Sequence, residues 1–183
     1  MISPGKGLVI VYTGEGKGKT TAALGLAVRA AGHGMRTFMV QFLKTGRGYG
    51  ESRAPSFLPG FELYSSGRGF SWSQEVSAEE HREGIRRGWE AARAALSGER
   101  PCDLLILDEL NCVFNVRDFP VADLLTPEQV VERLRARPSG MHVVITGRGA
   151  PRLFIEEADL VTEMREVKHP FREGFPATPG IEF

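Results

Sequence analysis

Apolar residues fall along this chain in two spacings. Leu8 to Val11 (LVIV), Thr37 to Leu43 (TFMVQFL), Cys102 to Leu107 (CDLLIL) and Val143 to Thr146 (VVIT) are nearly unbroken apolar runs. Short runs without polar alternation mark strands buried on both faces, as in a parallel sheet. Phe61 to Ser65 is a weaker strand, and Leu160 to Val167 (LVTEMREV) alternates like a half-buried strand near a sheet edge. Between these lie stretches of helical period. Ala22 to Ala31 is one, stopped by Gly32, His33 and Gly34. Ala78 to Leu96 is a longer one, opened by a capping box of Ser77 and Glu80, with Ile85, Trp89 and Ala92 sharing a core face. A third begins with Thr126 as N-cap and Pro127 in the first turn and runs to about Arg137, before Pro138; Arg152 to Ala158 is a fourth. Strand alternating with helix predicts an α/β fold, a mostly parallel central sheet flanked by helices.

A length of 183 residues fits one domain, residues 1–183, and the chain shows no repeat or dividing linker. Lys plus Arg and Asp plus Glu number 23 each, so no net field draws in nucleic acid or an anionic membrane, and neither is expected as a partner. Cys102 and Cys112 lack metal or redox spacing and read as reduced thiols, Cys102 in the core. The apolar stretch after Met1 is too short for a signal-peptide core or a membrane span. A soluble, cytoplasmic protein is expected.

Candidate chemistry begins where the first strand breaks into glycines. Leu8 to Thr21 reads LVIVYTGEGKGKTT, and Gly14, Glu15, Gly16, Lys17, Gly18, Lys19, Thr20 and Thr21 form a candidate phosphate-binding loop. Gly14, Gly16 and Gly18 permit backbone angles that turn N–H groups around an anion. Lys19 would reach the outer phosphates, Thr20 would ligate a magnesium ion, and the next helix would point its N-terminus at the phosphates. The strict pattern G-x-x-x-x-G-K-[ST] puts glycine where Thr13 stands, with Gly14 one step late. The strand ending in Asp108 and Glu109 supplies carboxylates for the same metal, without showing which of them touches it. Arg148, in TGRG after the fifth strand, stands where open α/β sheets bind ligands. Lys44 to Pro59 has the composition of a mobile surface loop, and Phe70 and Trp72 are large aromatics between glycines and serines. His33, His81, His142 and His169 show no metal spacing and receive no chemistry.

TGEGKGKTTAALGLAVRAAGHG, VQFLK with a later GE, GFSW, LLILDEL, VVITGRG, ADLVTEM and VKHPF stand in the order found in P-loop ATP:corrinoid adenosyltransferases, which this chain resembles over nearly its whole length. The loop that begins TG is the form of that family. The resemblance implies a RecA-like P-loop nucleoside triphosphatase fold, usually a homodimer. It also implies transfer of the 5′-deoxyadenosyl group of ATP to the cobalt of a reduced corrinoid, with release of tripolyphosphate. By position, Gly14 to Thr21 would hold the triphosphate, Lys19 would neutralise it, and Thr20 with Asp108 or Glu109 would hold magnesium or manganese. Phe70 and Trp72 would approach the corrin, and an electron donor such as flavodoxin would supply the reduced cobalt. Members often carry a longer N-terminal segment over the site, where Met1 to Lys6 precede the first strand here; Asn111 to Phe119 and the ending ATPGIEF also differ from the usual form. The same loop and carboxylates also suit a kinase or ATPase cleaving at the γ-phosphate, or a non-catalytic RecA-like module.

Overall fold

A computed structural model gives the architecture; it describes residues 5–45, 48–69 and 76–182. Strands β1 (Val9–Thr13), β2 (Thr37–Gln41), β3 (Phe61–Ser65), β4 (Leu104–Asp108), β5 (His142–Thr146) and β6 (Leu160–Glu163) form one sheet. Its order is β3-β2-β4-β5-β1-β6, and every pairing is parallel. Such a sheet needs helical crossovers, supplied by α1 (Lys19–Gly32), α2 (Ala78–Leu96), α3 (Leu110–Val113), α4 (Pro127–Ala136) and α5 (Arg152–Glu157).

The pleat sorts each apolar run between two cores. Val9 and Val11 of β1, with Leu105 and Leu107 of β4, face a large cluster that includes Ile85, Ala92, Val130, Leu134 and Phe154 from α2, α4 and α5. Ile10, Met39, Leu104 and Ile106 face the other way, onto Ala23, Ala27 and Ala30 of α1. The alanines are the buried apolar residues of α1, with Leu24 and Leu26 packed beside them. This double burial is why the central strands carry no polar alternation.

Several elements differ from the sequence expectation. Helix α1 starts at Lys19 rather than Ala22, so Lys19, Thr20 and Thr21 belong to its first turn. The Lys44 to Pro59 stretch is not a plain surface loop: Gly50–Ser56 is a 3₁₀ helix that buries Ala54, and Lys44 itself is buried. β6 is shorter than the alternating run, and every residue in it is exposed, because among the described residues it pairs only with β1 and no helix covers it. The Ser77–Glu80 capping box is present, and Thr126 forms a second with Gln129. Phe70 and Trp72 lie outside the described residues.

Candidate active site

Every parallel strand delivers its carboxyl end to the same edge of the sheet, and the chemical residues collect there. β1 ends in the glycine loop. Gly14 and Gly18 hold φ of 92° and 115°, angles that side chains resist. Gly16 is needed for another reason. Its N–H donates to the Met164 carbonyl at 2.7 Å, and a Cβ there would lie 2.6 Å from the backbone of Arg165. One loop N–H thus braces the loop against the segment after β6 instead of turning toward an anion.

Lys19 is 7% exposed, and its Nζ donates to the carbonyls of Gly14 at 2.7 Å and Gly16 at 2.6 Å. Its ammonium is curled onto its own loop. Burial pushes its pKa below the ordinary value, against the pull of Glu109, while Arg148 adds to the lowering. Phosphate oxygens are stronger acceptors than carbonyls for such a charge.

Asp108, at the end of β4, is fully buried and saturated with donors. Thr20 Oγ1 and Thr146 Oγ1 each donate to its Oδ1 at 2.8 Å, and Gln41 Nε2 donates to Oδ2 at 3.1 Å. Lys44 completes the set with an ion pair to Oδ2 at 3.1 Å. β5 stands between β1 and β4, and its Thr146 bridges the gap they leave. The structure therefore joins Thr20 to Asp108 directly, and it assigns that carboxylate to holding the Thr20 hydroxyl.

Glu109 sits differently. At φ 64° it is the one non-glycine with positive φ among the described residues, a strained turn of the kind found at functional sites. Its N–H donates to Thr146 Oγ1 at 3.0 Å, its side chain faces the cleft, and Cys112 Sγ donates to its Oε2 at 2.8 Å. Burial and that carboxylate push the Cys112 thiol well above its ordinary value, so it stays protonated. Arg148 is exposed and pairs with Glu15 at 3.3 Å across the mouth.

Sequence reasoning missed Lys44, Gln41 and Thr146. Lys44 follows Phe42 and Leu43, and its charge is met by Glu51 at 2.9 Å as well as by Asp108. Burial alone would lower its pKa, but the two carboxylates outweigh that, and it is pushed up to about 12. A signal was present: a polar Gln41 inside an apolar strand asks for a buried partner.

The loop, Glu109 and Arg148 open on one cleft of about 1780 Å³, closed on other sides by Tyr49, Phe57 and Phe119 and by the C-terminal segment around Phe171 and Ile181. That exceeds what one small ligand needs. Among the described residues no cluster of three or more His, Cys, Asp or Glu stands ready for a metal, and no helix is long and apolar enough to cross a membrane.

A glycine loop between a parallel strand and a helix, with its threonine held by a carboxylate from a strand one place removed, defines a RecA-like P-loop nucleotide-binding protein. Within that class the chain belongs to the ATP:corrinoid adenosyltransferase BtuR/CobO/CobP family, whose model matches residues 5–183. It is 40% identical over 179 residues to the corrinoid adenosyltransferase of Escherichia coli K12, spanning 97% of this chain and 86% of that one. It is 39% identical over 181 residues to the corrinoid adenosyltransferase of a Sinorhizobium species, spanning 97% and 81%. A solved KaiC-like protein from Pyrococcus horikoshii aligns with 89% of this chain and 74% of its own at 14% identity, TM-score 0.48. By family the chain is a transferase that moves an adenosyl group from ATP to a corrinoid.

Proposed function

We propose that the cleft holds ATP with its triphosphate on the glycine loop and the corrinoid against the open side, so that the 5′-carbon of the ribose meets reduced cobalt. The observation that carries this is the placing of Lys19 and Thr20 on the wall of a cleft large enough for two substrates, with buried Asp108 bound behind Thr20. The electron pair of one-valent cobalt forms the bond to the 5′-carbon as the carbon–oxygen bond breaks, and that bonding pair leaves on the triphosphate. No protein nucleophile is required. Lys19 exchanges its two carbonyl partners for phosphate oxygens, Gly14 to Gly18 fit the backbone to the phosphates, and Thr21 and Arg148 extend polar contact toward the mouth. These groups act on a leaving group whose charge grows in the transition state.

Hard oxygen donors at Thr20, Asp108 and Glu109 fit magnesium or manganese arriving with the nucleotide. Thr20 and Glu109 would offer oxygens to it, with Asp108 fixing the Thr20 hydroxyl, and its contribution there is charge neutralisation. Phe70 and Trp72 would wall one face of the corrin and ease reduction of two-valent cobalt by displacing its lower ligand; this rests on the family motif GFSW. A flavodoxin-like electron donor, a homodimer and a cytoplasmic setting belong to the same reading.

Phosphorus NMR of the products tests it. One tripolyphosphate per adenosylated corrinoid is expected, and stoichiometric ADP with orthophosphate would instead mark a γ-phosphate transferase or ATPase.

A further inference from the structure

Three oxygens converge on one ammonium beside the nucleotide loop. Lys44 Nζ lies 2.9 Å from Glu51 Oε1, 3.1 Å from Asp108 Oδ2 and 3.4 Å from Thr20 Oγ1, while the Tyr49 ring stands over it at 5.3 Å. A lysine has three N–H donors, and these three acceptors use all of them. The two carboxylates are held in register by Gln41, whose Nε2 donates to Glu51 Oε1 at 3.2 Å and to Asp108 Oδ2 at 3.1 Å. The Lys44 side chain is 9% exposed, that of Glu51 11% and that of Asp108 0%, so water screens the cluster weakly.

Two carboxylates and a hydroxyl around one point are the hard-oxygen set that captures a small divalent cation. Here that point already carries a charge tethered to the chain. We infer that the Lys44 ammonium occupies a cation position beside the glycine loop, excluding free divalent metal from Thr20 and Asp108 so that metal enters only with ATP. The inference rests on the reading that Thr20 serves the metal with Asp108 behind it, and goes beyond it in that the free ion excluded by Lys44 would meet Asp108 and Glu51 directly. The polyanionic triphosphate supplies both additional oxygens and the negative charge that offsets repulsion from the ammonium. Lys44 is on this account a positioning residue, touching Thr20 and Asp108 rather than the reacting atoms. The Gly50–Ser56 3₁₀ helix gains a purpose from it, since that turn carries Glu51 to the ammonium.

Manganese titration of the nucleotide-free protein, followed by the EPR signal of free Mn²⁺, tests this without turnover. The wild type should hold Mn²⁺ only weakly. Lys44→Met should bind it roughly tenfold tighter or more, from removal of an adjacent like charge, and adding Asp108→Asn should erase that gain. Lys44→Gln replaces Lys44→Met if circular dichroism shows the methionine variant unfolded. Natively folded Lys44 variants that bind Mn²⁺ no better than the wild type would overturn the inference. So would tight nucleotide-free binding by the wild type that Asp108→Asn abolishes, a result that needs no lysine variant. A separate arm isolates the underlying reading: with ATP present the wild type should retain Mn²⁺ and Thr20→Ala should lose it. Retention by Thr20→Ala would remove Thr20 from the metal site, whatever the Lys44 arm shows.

Discussion

Lys19 makes its two hydrogen bonds to carbonyls of the loop that leads into α1, and on the proposed function both would be released as it turned to a phosphate. Lys19→Ala therefore loses little of the fold, no more than about 1–2 kcal/mol in a urea melt, but loses about 100-fold or more in turnover. Activity within a few-fold of wild type in a folded variant would take the loop out of the mechanism. His81 shows the opposite balance. It is buried, stacks on Phe119 with centroids 4.4 Å apart and planes at 6°, and its Nε2 meets no hydrogen-bond partner among the described residues. Burial pushes its pKa below the ordinary 6.5, only partly opposed by Glu80. The unfolded chain then takes up a proton that the folded chain refuses, so stability falls as pH drops below 6.5 and levels off beneath the folded pKa. His81→Phe keeps a ring against Phe119 and should lack that component of the decline. Parallel acid-limb melts would expose an error here as identical slopes in the two proteins. Lys19, Thr20 and Asp108 were legible in the sequence because each stands at the end of a recognisable strand or loop. Lys44 was not, because the partners that bury it, Glu51 and Asp108, come from separate parts of the chain.

At the scale of elements, glycine means different things in the loop and in the helix that follows it. Gly16 is pressed against Met164 and Arg165, so a methyl group there must displace backbone. Gly25, in the exposed middle of α1, has nothing within 4 Å of the place a Cβ would take. Gly25→Ala should raise stability by about 0.5–1 kcal/mol, the helix-propensity difference, with turnover unchanged. Gly16→Ala should lower turnover at least about 100-fold by shifting the loop's N–H groups. Steady-state rates and urea melts on the pair decide this, and a fully active Gly16→Ala would mean that the Met164 contact places nothing. Strand identities were legible from apolar runs, since burial on both faces removes polar residues. β6 misled because the alternation of LVTEMREV suggests one covered face, and the uncovered edge has none. What β6 does instead is carry Met164 to the loop, a tertiary role with no local signature.

At the scale of the molecule, α1 and Ala54 of the 3₁₀ helix cover one face of the sheet and the large core with α2, α4 and α5 fills the other, while the glycine loop, Asp108 and Glu109 gather along one edge. The order of the strands could not be read from the chain, because β5, late in sequence, inserts between β1 and β4. On the proposed function this layout would make the nucleotide a tie between β1 and β4, which β5 separates and which Thr20 and Asp108 join by a side-chain hydrogen bond. Binding to the folded state alone must raise its stability, by about 2.7 kcal/mol at a hundredfold excess over Kd, or roughly 5–10 °C in Tm for a chain of this size. The distribution of that gain among fragments of ATP tells which part of the molecule the protein grips. If Lys19, Thr20 and the loop backbone read the triphosphate, then magnesium tripolyphosphate, which has no adenosine, should keep most of the Tm increase seen with magnesium ATP. AMP, with the adenosine and a single phosphate, should give little at equal concentration. Thr20→Ala should erase both the ATP and the tripolyphosphate shifts together, since one hydroxyl serves both. A larger shift with AMP than with tripolyphosphate would place the grip on the nucleoside and leave the loop as a frame around the leaving group rather than its holder.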